Sequence, residues 1–343
     1  MRRPWAAAHP FPASILPAAV LLPAAVLLVA ALAAACAGRR DGASIVRDGA
    51  LGALPKESVA LLVVEIRALG RARASSPWMR ELTAAAEAGP FREIRDRLGV
   101  DAFEAVERIG MAVVPQPDER VAYGLLAEGT FDRKAMLASM GGQPMMTVQE
   151  GDGTRPDLTL AVLDDGSLAV GPRLVLEVVR NNAARRGDGL DANPTILDLL
   201  EGVRPSSQIW GAVDCRRLTG LARAFAAARG MKATPLDASP QISALVSLAF
   251  HGTVGRTVEF TVLAKADGED GAKNVADAAR GLLAITRMGA GQGAAREWLE
   301  FLDAITVEQT GPSIALRGSV SEATMTAIAA KARAAAGSPP GAS

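Results

Sequence analysis

Two short stretches place an acid and an arginine at the same spacing. Glu65 and Arg67 lie in VEIRAL (64–69), and Asp214 and Arg216 lie in VDCRRL (213–218). Residues two apart in an extended strand share a face. Each pair can therefore present a carboxylate and a guanidinium together, as one of two equivalent ligand or partner sites. The plainer chemistry, and the one expected, is a strand-end ion pair contributing about 0–1 kcal/mol when exposed. His251 could serve as a base for Ser243 or Ser247, but no G-x-S-x-G nucleophile elbow is present, so an exposed strand-end histidine is expected. Cys215 replaces Ile66 when the two stretches are aligned, which is the exchange of a buried packing position.

The remaining candidates are weaker. GAGQGAA (289–295) follows a helical pattern and lacks the P-loop lysine, so it reads as a connection between helices. Asp164 to Gly166 lacks EF-hand spacing and reads as a hairpin turn. The histidines are His9 and His251 and the cysteines Cys36 and Cys215, too few outside the leader for a Cys/His zinc site. No catalytic residue, metal ligand or cofactor is assigned.

These residues must be held by a body large enough to bury a core. The chain has 343 residues, 49% of them hydrophobic and only 4% aromatic, so an aliphatic core is expected. Basic and acidic residues number 37 each. Arg2 and Arg3 lie in the leader and no acid does, leaving no basic excess after Ala35 and no footprint of nucleic-acid binding.

The elements alternate strand pairs with helices. Val59 to Ile66, Ile109 to Val114, Val121 to Glu128, Leu158 to Leu163 and Leu168 to Val170 read as strands, the last two joined by DDGS. In the second half Ile209 to Val213, Ile242 to Phe250, Thr257 to Lys265 and a hairpin turning at TGPS follow the same order. Three landmarks recur: VEIRAL with VDCRRL, YGLLAEG (123–129) with FTVLAKA (260–266), and LTLAVLDDGSLAVG (158–171) with ITVEQTGPSIALRG (305–318). Their offsets are 149, 137 and 147 residues. The expected fold is α+β: two similar repeats, each a mostly antiparallel sheet with helices packed on one face. The expected boundaries are 57–192 for the first repeat, 193–205 for a connector helix capped by Asn193, 206–336 for the second repeat and 337–343 for a disordered tail.

The start of the chain reads as a secretory signal: Arg2 and Arg3, then an uncharged run from Ile15 to Ala35, then small residues. The ending LAAAC, Leu32 to Cys36, resembles the lipobox of bacterial lipoproteins. Ala33 stands where leucine is usual, and Leu32 lies one place early. The resemblance implies cleavage before Cys36, removal of residues 1–35, and acylation of Cys36. More than one acyl chain is needed for stable anchoring. Ala37, in place of an aspartate after the cysteine, implies the outer membrane under the family's sorting rule. Residues 36–56 then form a lipidated cysteine and a flexible tether. LPKESVALLVVEI (54–66) loosely resembles uncharacterised bacterial envelope proteins that begin LP-x-x-S/T-V-A, a resemblance that carries no activity.

The expected function is that of a membrane-anchored, non-enzymatic envelope lipoprotein. Its duplicated body would bind an envelope protein, a glycan or a lipid. The alternatives are an envelope hydrolase with a site between the halves, and a carrier of an apolar ligand.

Overall fold

The computed structural model describes residues 41–80, 102–116, 121–148, 158–204, 206–228, 240–255, 257–291 and 296–336. The leader with Cys36, residues 292–295 of the glycine-rich stretch and the tail 337–343 lie outside them.

Among the described residues, eleven strands form one antiparallel sheet. They are β1 (Ala60–Val64), β2 (Val106–Pro115), β3 (Val121–Gly129), β4 (Met145–Val148), β5 (Leu158–Val162), β6 (Leu168–Gly171), β7 (Ile209–Asp214), β8 (Leu245–Val254), β9 (Thr257–Ala266), β10 (Ile305–Thr310) and β11 (Ser313–Ser321). Their spatial order is β10-β11-β9-β8-β7-β1-β2-β3-β6-β5-β4. The expected α+β class is present, but a separate sheet for each half is not. The first strands of the two halves, β1 and β7, pair antiparallel and fuse the halves into one layer. Their register runs from Ala60 opposite Val213 to Val64 opposite Ile209, centred on Leu62 opposite Gly211. Beyond this pair, the Glu65 N–H donates to Gln208 O at 2.6 Å and the Asp214 N–H to Val59 O at 2.8 Å.

Helices occupy both faces, not one. In chain order they are α1 (Gly42–Asp48), α2 (Ile66–Ser75), α3 (Ala102–Ala105), α4 (Arg133–Ser139), α5 (Arg173–Ala183), α6 (Pro194–Leu200), α7 (Cys215–Ala228), α8 (Pro240–Ala244), α9 (Glu269–Gly291), α10 (Arg296–Asp303) and α11 (Glu322–Ala336). On the first face, α1, α5, α6 and a 3-10 turn (Ala50–Ala53) bury Leu61, Val63, Ala112, Leu126, Trp210 and Ala212. On the second face, α2, α10 and α11 pack around Val258, Phe260 and Val320, while α9 packs on Ala264 and Ile314 and α4 on Val162 and Leu168.

Residues 41–54 depart from the expected flexible tether. Asp41 caps α1 by accepting from the Ser44 N–H at 2.6 Å. Ala43, Val46, Leu51 and Leu54 are fully buried in the first-face core. Their apolar side chains found a partner surface in β2 and β3, where small residues let the backbone approach. A Cβ on Gly110 would meet Leu51 Cδ2 at 2.2 Å, and one on Gly124 would meet Val175 Cγ1 at 3.1 Å.

The expected Asn193 cap and DDGS turn are present, and a further cap lies at Asp132. Asp132 accepts from the Ala135 N–H at 2.9 Å at the start of α4. Asn193 accepts from the Ile196 N–H at 3.0 Å and donates to Lys56 O and Ser58 O. It thus caps α6 and ties that helix to the entry of β1. In the DDGS turn Asp165 accepts from both the N–H and the hydroxyl of Ser167, and Gly166 takes a φ of 87°.

Candidate functional site

The second half leaves the first face of its outer strands open. Strand β9 alternates exposed or half-buried Thr257, Glu259, Thr261, Leu263 and Lys265 with buried Val258, Phe260, Val262 and Ala264. That is the pattern of a sheet with water on one side. The register aligns the open face into cross-strand rows. His251, Thr261, Arg317 and Thr306 form one, Ala249, Leu263, Ala315 and Glu308 the next, and Ser247, Lys265, Ser313 and Thr310 the third.

The end of α6 overhangs the second and third rows. Between them lies a groove of about 410 Å³, floored by Ala249, Leu263 and Ala315 and flanked by Leu199 and Gly202. Its polar rim is Asp198, Ser247, Lys265, Glu308, Ser313 and Arg317, a mixture of both charges around an apolar floor. Arg317 donates through Nη1 to Glu308 Oε2 across the strand pair.

Sequence reasoning expected His251 to be exposed at a strand end, and the structure corrects this. Strand β8 continues to Val254, and His251 is 6% exposed, between Trp210 and Thr261 in register. Its Nδ1 is buried and has no hydrogen-bond partner among the described residues. Burial, with the positive charges of Arg204 and Arg317, holds the ring's pKa down to about 4, so it is neutral at pH 7. Ser247 lies four residues along the same face, roughly 13 Å away at strand rise. Ser243 is in α8 and accepts from Arg223 at 2.8 Å. The structure brings neither serine to the ring.

The two acid-arginine pairs are also redistributed. Glu65 does not bond Arg67. Its carboxylate receives Arg108 Nε at 2.6 Å and Nη2 at 3.1 Å, while Arg67 reaches Glu107 at 3.3 Å. Arg108 also donates to Glu128 Oε2 at 2.8 Å. The side chains of all three are about five-sixths buried, with exposures of 16%, 16% and 15%. Glu128 accepts the Leu51 N–H at 2.9 Å, and Trp210 Nε1–H points at Glu65 Oε1 at 3.4 Å. Burial, the largest influence, pushes the Glu128 carboxyl above its usual range despite Arg108. Asp214 instead caps α7, accepting from the Arg217 N–H at 2.9 Å, and Arg216 is exposed.

Arg108 and Glu128 were not singled out in the sequence. Strand parity was the available signal: Glu128 shares the inward face of Ala122, Gly124 and Leu126. Cys215 is half-buried at the start of α7, its thiol pushed up to about 11 by burial and then by Asp214. Among the described residues, no three of His, Cys, Asp and Glu gather as metal ligands, and no helix is long and apolar enough to cross a membrane.

Comparison with protein-family models, with curated proteins and with solved structures gives no match.

Proposed function

We propose that this chain is a non-enzymatic envelope lipoprotein, anchored through Cys36, whose duplicated body binds a partner on the open face beside α6. The carrying observation is the groove over β8, β9, β11 and β10, a concave surface with an apolar floor and a two-signed rim. Such a composition suits a polar partner or glycan that also lays apolar surface on the floor.

The duplication is supported by the register at the centre of the sheet. The offset of 149 read from the sequence carries Ala60 to Ile209 and Val64 to Val213. Applied to the pair Ala60–Val213 it yields Ile209–Val64, which is itself a pair of the same ladder. The bonds Glu65 N–H to Gln208 O and Asp214 N–H to Val59 O exchange under the same offset. Two copies related by a twofold axis through Leu62 and Gly211 would give this pattern.

The duplication also gives the groove a meaning. The row Arg108–Glu128 in the first half corresponds to Ser247–Lys265 in the second. In the first half this row is roofed by Leu51 and buried. In the second half it lines the groove. The copies thus divide the work, one closing its face for stability and the other leaving it open for recognition.

Two measurements test this. Cys36→Ser abolishes incorporation of labelled palmitate in cells, and retained labelling refutes the anchor. A photo-crosslinking residue at Ser313 captures an envelope component that one at Lys273, on the exposed side of α9, does not, and Lys265→Glu suppresses the capture. Equal capture from both positions refutes the groove as the binding surface.

A further inference from the structure

The groove lies at one end of the sheet, and the other end carries an arrangement that the groove reading does not use. There β4 is the last strand among the described residues. Its pairing with β5 fixes which way its backbone points. The Val162 N–H donates to Pro144 O at 2.9 Å, and Met146 stands opposite Leu160. Bonding to a neighbour alternates along an antiparallel strand. Met146 and Val148 therefore bond to β5, while the N–H and C=O of Met145 and Thr147 point away from it. Among the described residues nothing meets these four groups. The opposite edge of the sheet is guarded: Arg280 of α9 donates through Nη2 to Val307 O of β10 at 3.1 Å. On the second face Met146 packs with Met136 and Leu168, so β4 is held in place with its edge open.

A basic wall stands beside this edge. A cleft of about 260 Å³ is lined by Gln143, Met145, Thr147, Thr159, Arg173 and Arg180, with no acid among the described lining residues. Arg173 and Arg180 are seven residues apart on α5, about two turns and about 10 Å along one side of the helix. Among the described residues Arg180 reaches only the Met145 sulfur, at 3.6 Å, a weak acceptor for a guanidinium. Arg173 donates through Nε to Glu177 at 3.0 Å, in a pair whose side chains are 72% and 43% exposed. Such a surface pair contributes little, and it engages one of the five N–H groups of Arg173. The wall thus keeps a net positive charge after Glu177 is counted.

We propose that β4 is a docking edge for an extended acidic segment of a protein partner. The segment adds antiparallel to β4 and bonds to the outward N–H and C=O groups of Met145 and Thr147. Four residues make a poor template for aggregation but suffice for two such pairs. The residues opposite Met145 and Thr147 place their side chains on the same face of the sheet as those two, the face on which α5 packs. They are two apart in the added strand, about 7 Å, and carboxylates at these positions meet Arg180 and Arg173. The backbone supplies the affinity and the arginines the choice of an acidic sequence. A second copy of the chain would bring its own arginines against these. The proposal depends neither on the groove nor on Cys36.

The test uses the full chain in uncharged detergent and the peptide Thr-Glu-Val-Glu-Val-Thr, amidated at its C-terminus and labelled with rhodamine at its N-terminus. Fluorescence anisotropy shows saturable binding, and a peptide with lysine in place of both glutamates binds about tenfold more weakly. Arg173→Gln and Arg180→Gln each weaken binding about tenfold, while Lys273→Gln, on the exposed side of α9, leaves it unchanged. N-methylation of the two glutamates, whose N–H groups face β4, abolishes binding. N-methylation of the valine between them, whose N–H points to solvent, does not. Thr147→Pro removes an outward N–H that β5 does not use, and weakens binding about tenfold with thermal unfolding unaltered. Should that variant unfold early, the methylated peptides decide. Absence of saturable binding, equal binding of the lysine peptide, or equal loss from methylating the valine overturns the docking edge. Displacement of the peptide by free glutarate at the peptide's own concentration reduces the site to an anion pocket and overturns the peptide. Self-association of the chain that Thr147→Pro abolishes, seen by sedimentation, assigns the edge to a second copy and overturns the acidic partner.

Discussion

Replacing Arg108 by methionine tests the buried charge cluster at the junction of β1, β2 and β3. Methionine keeps much of the side chain's length and removes the charge shared by Glu65 and Glu128. The two carboxylates retain the Trp210 Nε1–H and the Leu51 N–H respectively, neither of which carries a positive charge. Removing one member of a buried ion pair costs about 3–5 kcal/mol. A second estimate can be made for one of the two carboxylates alone. A stranded carboxylate can take a proton, and neutralising an ordinary carboxyl at pH 7 costs about 1.4 kcal/mol for each of nearly three pH units, or about 4 kcal/mol. Both estimates give a loss of at least about 3–4 kcal/mol at pH 7.

The sign of the pH dependence follows from the same cluster. Glu128 already has its folded-state pKa raised by burial. A raised carboxyl stabilises the fold fully below the unfolded pKa and loses that contribution as pH rises through the folded value. Without Arg108 the rise is larger, so the deficit of the variant is greatest above pH 7 and shrinks toward pH 5. Urea unfolding followed by tryptophan fluorescence reads this directly, since Trp78 and Trp210 are buried at 0% and 1% exposure. A variant within about 1 kcal/mol of the parent at pH 7.5, with the same difference at pH 5.5, would refute the reasoning. Such a result would mean that the cluster is solvated like a surface pair.

Two further outcomes are expected. Asn193→Ala removes the cap of α6 and leaves Lys56 O and Ser58 O without their amide donor, lowering stability by about 2 kcal/mol in urea titration. Asn193→Asp keeps the cap and loses the donors, and falls between. Cys215, with its thiol held at about 11, reacts with iodoacetamide at pH 8 many times more slowly in the folded chain than in urea, as mass spectrometry of the alkylated chain shows. Equal rates would place the thiol in open solvent.

Much of the local structure was legible in the residues. Asp132 and Asn193 cap helices because short polar side chains reach the free N–H groups of a first turn. Asp165 and Gly166 turn a hairpin because one bonds its own backbone and the other accepts a positive φ. The stretch Thr257 to Lys265 was read as a strand, while its wet and dry faces were not assigned. Other features were hidden because they depend on residues far apart in the chain. The partner of Glu65 is 43 residues away in Arg108, not two away in Arg67. The burial of His251 depends on the strand pairing that sets it between Trp210 and Thr261.

What the sequence by itself determined is most of the strands, the cap at Asn193 and the hairpin turns, and the offset of 149 between VEIRAL and VDCRRL. These follow from side-chain period and backbone preference within a few residues of each position. The strand Met145–Val148 was missed, and residues 242–244, which lie in α8, were read as the start of β8. Only the tertiary structure decided that β1 and β7 pair to make one sheet, and that residues 42–54 close the first face over β2 and β3. It alone decided that α5 and α11, each following a hairpin, settle on opposite faces. The physical reason is that burial is a contest among all the apolar surfaces of the chain. Gly110 and Gly124 admitted Leu51 and Val175 against the sheet, while Thr261, Lys265 and Arg317 kept their side of the second half in water.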